Sequence, residues 1–238
     1  MQKISVIVPV HNEESYIVNN LEIIRNVLVS LKYEYEILVV DDCSSDDTNL
    51  ILNHLKMKDV KILHKPVNQG KGSAIKTGCK FAIGDLCMVI DADLQIDPIE
   101  IKTFINIMDL YNADVVIGNK RHIYSNSAYS FSRKVVSIGY YLLIKALFGF
   151  PLRDTQCGLK LFKKHCLDLV LSKVLVKQYA FDLEVLVALH TNHFRIADAP
   201  VYVKPQVNGG SVKLGTIIQT FYDTLAVWYR RRKGWYKV

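Results

Sequence analysis

Short apolar segments alternate with longer amphipathic segments through the first half of the chain. The short segments are rich in Val and Ile, as buried strands are, and the longer ones carry apolar residues at helical spacing. Regular alternation of this kind is typical of a parallel sheet joined by right-handed crossovers. The predicted strands span residues 4–8, 36–40, 60–63, 86–90 and 113–118, and the predicted helices span about 14–31, 45–56, 72–83 and 98–110.

The second half of the chain is organised differently, because the alternation weakens after residue 121. Residues 131–150 form a long apolar helical stretch with few charges, and residues 181–190 indicate a further helix. The remaining predicted elements are a strand at 159–162, an edge strand at 201–203 ended by Pro205, and an amphipathic segment at 214–229.

A chain of 238 residues, 50% hydrophobic and 22% charged, is long enough and apolar enough to bury one large core. We predict an α/β fold with a Rossmann-like, mostly parallel sheet, helices on both faces and amphipathic, membrane-facing helices in the second half. One domain would span residues 1–213. Residues 214–238 would form an amphipathic, basic and aromatic helix and tail at a membrane surface.

Charge and cysteine content indicate the kind of binding partner and the cellular compartment. The formal net charge of +7 favours an anionic partner such as nucleic acid, anionic lipid or a phosphorylated substrate. The five cysteines lack the spacing of a zinc site, so free thiols in a reducing cytosol are expected. The chain enters its first strand directly, which argues against a signal peptide, and no apolar run approaches the roughly 18–20 residues of a spanning helix. A cytoplasmic location is therefore expected, for a chain that does not cross a membrane.

Polar clusters follow three of the predicted strands at the point where each strand ends. The carboxyl ends of adjacent parallel strands meet at one edge of a sheet, where ligands bind. Carboxylate and amide oxygens there suit Mg²⁺ or Mn²⁺. The alternatives are solvated acids before the helix at Pro98, an Asx turn at Asp42 and a first-turn helix acid at Glu13. The clusters are His11-Asn12-Glu13, Asp41-Asp42 and the group Asp91, Asp93 and Gln95.

Residues 68–72, Asn-Gln-Gly-Lys-Gly, form a glycine-bearing loop before a predicted helix. Such a loop can hold a phosphate, because the N–H groups of a helix start are unpaired. The loop lacks the Walker spacing, and the loop after the first strand has no glycine for a dinucleotide fingerprint. A tight turn with a solvated lysine is the alternative.

As a set, these motifs resemble those of the family 2 glycosyltransferases of the GT-A fold, in that family's order and spacing. The resemblance covers roughly residues 3–215, and the second half is similar to the polyprenyl-phosphate hexosyltransferase branch. This chain departs from the family at His11, where Tyr is usual, and at residues 118–121, which carry one residue more than the usual Gly-Ser-Arg. Many relatives also carry transmembrane helices. The matching segments are residues 9–13, 40–48, 68–72, 91–95, 118–121, 132–134, 154–160 and 181–184.

The resemblance implies inverting transfer of a hexose from a nucleotide sugar to a polyprenyl (dolichyl-type) phosphate at the cytoplasmic face of a membrane, with Mg²⁺ or Mn²⁺ as cofactor. UDP-glucose is the first expectation for the donor, because residues 153–158 and the C-terminal layout are closer to the glucosyl members. GDP-mannose is the second. The implied metal ligands are Asp91, Asp93 and Gln95, of which Asp93 and Gln95 are the direct ligands. The implied nucleotide-sugar contacts are Pro9, His11, Glu13, Asp42, Lys71, Asp91 and Ala92.

An acceptor phosphate is already an anion near neutral pH, since its second pKa is about 6, so it requires no strong base. It needs positive charge to position it, which arginine supplies well. By the same resemblance, Asp154 or Asp182 would orient the cations or accept a proton. A turn residue at Asp154, a helix-terminal acid at Asp182 and a solvated helix end at Arg133 are the alternatives. The implied catalytic residues are Asp93, Asp154, Arg121 and Arg133, and the implied sugar or acceptor-phosphate contacts are Gln156, Asp182, Ser211 and Lys213.

A polyprenyl acceptor requires contact with a bilayer. Residues 135–150 are more apolar than a one-sided surface helix requires. Residues 228–236 mix Trp and Tyr with basic residues that attract anionic lipid. A buried core helix and a solvated tail are the respective alternatives. The expected partners are a nucleotide sugar, a polyprenyl phosphate, an anionic membrane surface and a possible membrane protein, without nucleic acid.

Two other functions compete with this hypothesis. A family 2 transferase acting on a glycan or protein hydroxyl would require a clear catalytic base, whereas Arg133 and residues 154–160 favour a phosphate acceptor. A nucleic-acid-binding module would explain the charge of +7. The chain carries no RNP signature, zinc module or helix-turn-helix pattern that would support such a module.

Overall fold

The computed structural model describes residues 2–122, 125–127, 131–149, 154–204 and 214–238. Strands and helices alternate through the first half, as predicted. The strands are β1 (Lys3–Val10), β2 (Glu34–Asp41), β3 (Val60–His64), β4 (Leu86–Ile90), β5 (Val115–Asn119), β6 (Asn126–Ser127), β7 (Leu159–Lys163), β8 (Ile196–Pro200) and β9 (Tyr202–Val203). The helices are α1 (Ile17–Leu31), α2 (Thr48–His54), α3 (Lys71–Phe81), α4 (Glu100–Leu110), α5 (Phe131–Phe148), α6 (Lys164–Leu171), α7 (Phe181–Thr191) and α8 (Leu214–Arg232).

A 7-stranded sheet organises the molecule, in the order β3-β2-β1-β4-β7-β5-β8. Neighbouring strands are parallel except at β7, which runs antiparallel between β4 and β5. The predicted mostly parallel α/β sheet is thereby confirmed. The carboxyl ends of β1, β2, β4 and β5 share one edge. The start of β7 lies at the same edge, because Leu159 pairs with Ile90 at the end of β4.

Helices cover both faces of the sheet, and the side chains of each strand alternate between two cores. In β1, Ile7 faces the core that contains α3, α6 and α7, whereas Val6 and Val8 face the core that contains α1 and α4. All of β4 is buried, as expected for a strand covered on both sides. A one-residue slip would exchange the two faces, so this burial fixes the register of the strands that carry the site.

The second half departs from the predicted elements at two places. The sheet edge is β8, which pairs with β5 as far as Pro200, and not the predicted strand 201–203. Proline has no N–H to donate and occurs at sheet edges and strand ends, so the pairing stops there. Strand β9 pairs instead with β6 in a separate 2-stranded sheet. Helix α6, which begins directly after β7, is not among the predicted elements.

The end of the chain folds back onto α7. Tyr236 is fully buried, and Trp235 Nε1 donates a hydrogen bond to the carbonyl of Lys173 at 2.9 Å. Helix α8 packs against α7 and also contacts α5. Within the described ranges, none of the helices has both the length and the apolarity that crossing a bilayer requires. The predicted boundary between residues 213 and 214 stays a prediction.

Candidate active site

Loop 91–95 follows β4 at the carboxyl edge of the sheet. Ala92 and Leu94 are 3% and 4% exposed and pack into the core beneath α1 and α4. Leu94 adopts a φ of 45°, a left-handed conformation that is unfavourable for a branched side chain, so its burial helps to hold the turn. The alternating polar residues face a cleft. That cleft is lined by Ile90, Asp91, Asp93, Gln95, Ile96, Lys120, Gly158 and Leu159.

Asp93 and Gln95, predicted as direct metal ligands, contact each other. Gln95 Nε2 donates to Asp93 Oδ2 at 2.7 Å. The backbone N–H of Gln95 donates to Asp93 Oδ1 at 3.2 Å. The structure therefore places the two side chains together at the mouth of the cleft.

Asp91 lies between a cation and a glycine. Lys71 Nζ is 2.6 Å from Asp91 Oδ1. On the other side, a Cβ added to Gly158 would lie 2.3 Å from Asp91 Oδ2, so the chain can pass this close only at a glycine. Lys71 begins α3 and follows Gly70, whose φ of 94° favours glycine. The predicted phosphate loop and the predicted metal loop therefore meet at Asp91.

Negative charge is concentrated at this edge of the sheet. Burial, reinforced by the neighbouring charge of Asp91, raises the pKa of Asp93. Burial also raises the pKa of Glu13, and Asp93 adds to that effect. For Lys71, burial acts to lower the pKa, but the attraction of Asp91 and Asp182 outweighs it and the pKa is raised.

This set of side chains fits a hard divalent cation. Asp91 and Asp93 offer carboxylate oxygens and Gln95 offers an amide oxygen, which are ligands that Mg²⁺ and Mn²⁺ accept. The ammonium of Lys71 at Asp91 shows that the site already stabilises positive charge. A bound cation would relieve the repulsion between Asp91 and Asp93.

The pH dependence of stability follows from these shifts. Because Asp93 and Glu13 have raised pKa values in the folded protein, their contribution to stability is complete below the unfolded carboxyl pKa of about 4. It is lost as the pH rises through the higher folded values. We expect Asp93→Asn to raise the melting temperature of the metal-free protein at pH 7 and to change it little below about pH 4. Calorimetry in EDTA at both pH values measures this difference, and equal shifts at both would contradict it.

Asp42 holds the glycine loop in place. Its carboxylate accepts a hydrogen bond from Lys65 Nζ and from the backbone N–H groups of Gly70 at 2.6 Å and Gln69 at 3.2 Å. These contacts place the loop that presents Lys71. The predicted contact of Asp42 with the nucleoside stays a prediction.

The other predicted nucleotide contacts lie along the same edge. Pro9 is in β1, His11 and Glu13 follow that strand, and Ala92 is part of loop 91–95. A ring nitrogen of His11 is 3.1 Å from Nδ2 of Asn68 in the glycine loop. The structure therefore brings this set of predicted residues to one side of the cleft.

Asp182 has a partner that sequence analysis did not single out, Lys160 on β7. Lys160 Nζ lies 3.1 Å from Asp182 Oδ2, and the lysine side chain is 3% exposed. The same ammonium donates a hydrogen bond to the carbonyl of Cys157. A buried lysine requires an anionic partner. The available signal was a charged residue among the apolar residues of the predicted strand 159–162.

Tyr140 on α5 is a second residue that sequence analysis missed. Its hydroxyl lies 3.2 Å from Thr224 Oγ1 on α8. Burial raises the pKa of Tyr140 to about 12, hydrogen bonds with Thr224 and Gln156 oppose this, and the charge of Asp182 adds to it. Tyr140 therefore stays protonated at neutral pH and lies near two predicted contacts, Gln156 and Asp182. A tyrosine that packs against the core was the signal, because its hydroxyl then needs a partner.

Asp154 fixes the turn that follows β5. Its carboxylate accepts the backbone N–H of Lys120 at 3.3 Å and that of Gln156 at 3.0 Å. The guanidinium of Arg121 donates to the backbone carbonyl and the hydroxyl of Ser137 on α5. The structure thus brings Asp154 and Gln156 together, while the side chain of Arg121 is engaged by α5.

Part of the predicted acceptor site falls outside the described residues. The side chain of Arg133, and Ser211 and Lys213 as a whole, lie outside the residues that the structure describes. The grouping of Arg121, Arg133 and Lys213 around an acceptor phosphate therefore stays a prediction.

A separate group of side chains with metal-binding atoms lies at the opposite edge of the sheet. One ligand atom from each of Asp114, His165 and Cys166 falls within 4.8 Å of the others. Asp114 already accepts hydrogen bonds from Lys163 Nζ at 3.0 Å and from the backbone N–H of Arg195 at 2.9 Å. This group contains none of the residues predicted to hold the cofactor.

The acidic loop after β4, the lysine-bearing loop before α3 and the acidic end of β2 converge at the carboxyl edge of a mostly parallel sheet. Oxygen ligands for a cation thus lie beside N–H groups and a lysine that suit phosphate oxygens. This is the arrangement that the resemblance to the GT-A-fold glycosyltransferases predicts for the site.

Comparison with known sequences identifies the family. The model of glycosyl transferase family 2 matches residues 5–170. A dolichyl-phosphate beta-glucosyltransferase of Trichomonas vaginalis is 31% identical over 246 residues, which cover 99% of this chain and 76% of the relative. One from Dictyostelium discoideum is 27% identical over 254 residues, covering 99% and 76%. The chain belongs to glycosyl transferase family 2, and the predicted resemblance to its polyprenyl-phosphate branch is confirmed.

Comparison with solved structures supports the fold. Glucosyl-3-phosphoglycerate synthase of Mycobacterium tuberculosis, in complex with phosphoglyceric acid, gives a TM-score of 0.73 at 19% identity, covering 96% of this chain and 80% of that one. The complex of the same enzyme with Mn²⁺, uridine diphosphate and glucosyl-3-phosphoglycerate gives 0.72 at 20% identity, with the same coverage. At this identity the likeness shows the shared fold alone.

Proposed function

We propose that this protein transfers glucose from UDP-glucose to a dolichyl-type polyprenyl phosphate, with inversion at the anomeric carbon, at the cytoplasmic face of a membrane. The observation that carries the proposal is the meeting of loop 91–95 with Lys71 at Asp91. It occurs in a chain whose relatives, over nearly its whole length, are named dolichyl-phosphate beta-glucosyltransferases.

The donor side consists of the metal loop and the glycine loop. Asp91, Asp93 and Gln95 would hold Mg²⁺ or Mn²⁺, which when bound neutralises charge on the departing diphosphate. Lys71 would provide a second positive charge for that diphosphate, because its ammonium lies at Asp91 and the N-terminus of α3 favours anions. Glu13 would bind the nucleoside, as the resemblance implies.

The acceptor phosphate has to be positioned but does not have to lose a proton, since a phosphate monoester is already ionised. Tyr140 keeps its proton at neutral pH, so its hydroxyl can donate a hydrogen bond to a sugar or phosphate oxygen. Asp182, held by Lys160, would orient the substrate beside it. Asp154 keeps the turn that leads to Arg121 in place.

One assay tests the proposal. Purified protein is incubated with Mn²⁺, a short polyprenyl phosphate and either UDP-glucose or GDP-mannose, and the lipid product is identified by mass spectrometry and its anomer by NMR. We expect a β-linked glucosyl lipid from UDP-glucose. Matched reactions with an oligosaccharide or peptide acceptor test the hydroxyl alternative. Transfer only to a hydroxyl acceptor, or only from GDP-mannose, would contradict the proposal.

The surfaces of α5 and α8 support a membrane-bound acceptor. These helices are neighbours, joined by the contact of Tyr140 with Thr224. Scattered exposed apolar residues are normal, but a group on two adjacent helices marks an interaction surface. We call this group the lipid face. It consists of Ile138, Leu142, Ile217, Ile218, Phe221 and Tyr222, which are between 37% and 63% exposed.

The basic residues at the end of α8 lie in two different environments. Arg230 pairs with the buried Glu184 at 2.8 Å and therefore belongs to the core. Arg232 lies over Trp228 and Lys233 over Tyr229, at 4.7 and 5.6 Å from the ring centres, near the surface. We propose that these two cations, with the lipid face, contact anionic lipid.

We expect the protein to sediment with anionic vesicles in a salt-dependent manner. Replacing both Arg232 and Lys233 with Gln should weaken binding by about 2 kcal/mol, or about thirtyfold, because each basic residue near the surface contributes about 1 kcal/mol. The matched control replaces Lys32 and Lys102 with Gln, since Lys32 directly follows α1 and Lys102 lies on α4, on the other face of the sheet. An equal loss in both double variants, or binding that is indifferent to salt, would contradict the proposed surface.

A further inference from the structure

Glu184 on α7 is a wholly buried carboxylate whose two oxygens serve different parts of the chain. Oε1 accepts hydrogen bonds from Arg230 Nη2 at 2.8 Å and from the hydroxyl of Tyr236 at 2.5 Å. Oε2 accepts the backbone N–H groups of Leu175 and Val176 at 2.8 and 2.6 Å. Burying a carboxylate is costly unless its oxygens are satisfied, and here both are.

The contacts at Oε1 come from the C-terminal part of the chain. Arg230 lies in the last turns of α8, and its Nε also donates to the hydroxyl of Tyr236 at 3.0 Å. Helix α8 and the residues after it therefore hold Glu184 as one unit. This is the helix that carries most of the lipid face.

The contacts at Oε2 come from residues 174–181, which we call the support segment. This segment lies directly against the start of α3. The carbonyl of Val174 accepts a hydrogen bond from Lys76 Nζ at 2.7 Å, and that of Lys177 accepts one from the Ser73 N–H at 3.2 Å. The support segment therefore forms one wall of the glycine loop.

The support segment approaches the glycine loop most closely at Gly70 and Gly72, the two neighbours of Lys71. A Cβ at Gly70 would lie 2.4 Å from Oε1 of Gln178, and a Cβ at Gly72 would lie 2.3 Å from Cβ of Phe181. Lys71, between these glycines, reaches Asp91. A displacement of the support segment would therefore move the residue that meets the metal loop.

We propose that Glu184 is a positioning residue for the transfer reaction. It connects the C-terminal helix to the support segment, and through that segment it sets the position of Lys71 at Asp91. The role in transfer rests on the proposed function, whereas the mechanical connection does not. Helix α8 would thereby link the side of the protein that faces lipid to the side that binds the donor.

The test uses Glu184→Gln, which keeps the shape of the side chain and removes one acceptor. The amide NH₂ must face either the two backbone N–H groups or Arg230 and Tyr236, so one half of the connection is lost. We expect hydrogen exchange at residues 69–76 to become about tenfold faster, and UDP affinity in Mn²⁺ to fall by a similar factor.

Asp114→Asn is the matched control. Asp114 is also a carboxylate that accepts a lysine on one oxygen and a backbone N–H on the other, but it lies at the opposite edge of the sheet. It should lower the melting temperature without changing exchange at residues 69–76 or UDP affinity. A merely structural Glu184 would behave in the same way as this control.

Tyr236→Phe removes one hydroxyl and should give a smaller change of the same kind, so it carries the test if Glu184→Gln does not fold. Unchanged exchange at residues 69–76 in the folded variants would overturn the inference. Failure of the wild-type protein to bind UDP would overturn the proposed function, and the exchange comparison would still decide the connection.

Discussion

Asp93→Asn should reduce kcat/KM for glucosyl transfer by about a hundredfold to a thousandfold, the range for losing a group that stabilises transition-state charge. The substitution removes one of two carboxylates in loop 91–95 and keeps the hydrogen bonds of Gln95 within reach. Steady-state kinetics with UDP-glucose and a short polyprenyl phosphate measure the loss. Calorimetric titration with Mn²⁺ should show a parallel loss of metal affinity.

The control for this variant is Asp97→Asn, four residues further along the chain. Burial acts to raise the pKa of Asp97, but the N–H of Ile99 and the ammonium of Lys204 outweigh it and the pKa is lowered. Asp97→Asn should therefore destabilise the metal-free protein while sparing Mn²⁺ affinity, the reverse of Asp93→Asn. A folded Asp93→Asn protein with near-normal turnover would exclude the metal assignment.

The meeting of the first-half candidate residues at one edge of the sheet could be predicted from sequence because its signals are local. Each strand of the first half is a short apolar run, and the residues that follow it must arrive at the carboxyl edge of a parallel sheet. Periodicity therefore placed Glu13, Asp42 and Asp93 on one edge without knowledge of any long-range contact. The structure shows that this expected edge exists and that Lys71 lies on it.

The role of β7 could not be predicted, because strand direction is a long-range property. A run such as residues 159–163 has the same pattern in either orientation. Only its pairing with Ile90 and Val115 at opposite ends shows that it runs antiparallel between β4 and β5. Because β7 runs in that direction, residues 154–158 lie at the cleft. Lys160 lies within ion-pair distance of Asp182.

The C-terminal basic run shows the same limit. Arg230, Arg231 and Arg232 are equivalent by composition, so the sequence predicts the same attraction to anionic lipid for all three. Which arginine side chain points into the core depends on the position of the buried carboxylate on α7. Glu184 selects Arg230, and no pattern within α8 itself contains that information.

Gly158→Ala should lower Mn²⁺ affinity by about tenfold to a hundredfold, the usual effect of disturbing groups that orient metal ligands. The added Cβ would lie 2.3 Å from Asp91 Oδ2, so either the chain at residue 158 or the carboxylate must move. The φ of Gly158 is not left-handed, so the methyl group itself, and not backbone strain, causes the effect. Titration with Mn²⁺ in the presence of UDP measures the change, and transfer activity should fall with it.

Gly139→Ala is the control, because it tests whether the loss of affinity comes from the contact of residue 158 with Asp91 or from a glycine-to-alanine change in general. A Cβ at Gly139 on α5 meets nothing within 4 Å, so Gly139→Ala should leave Mn²⁺ affinity unchanged and raise helix stability by up to about 1 kcal/mol. If Gly158→Ala lowers only the melting temperature and keeps wild-type Mn²⁺ affinity, then the position of Asp91 does not control the site. If metal affinity falls in Gly158→Ala alone, the close approach of Gly158, directly before β7, to Asp91 is part of what holds the carboxylate for the cation. The segment that contains Gly158, which the sequence analysis assigns to the acceptor side, would then also be necessary for the metal site that the sequence predicts.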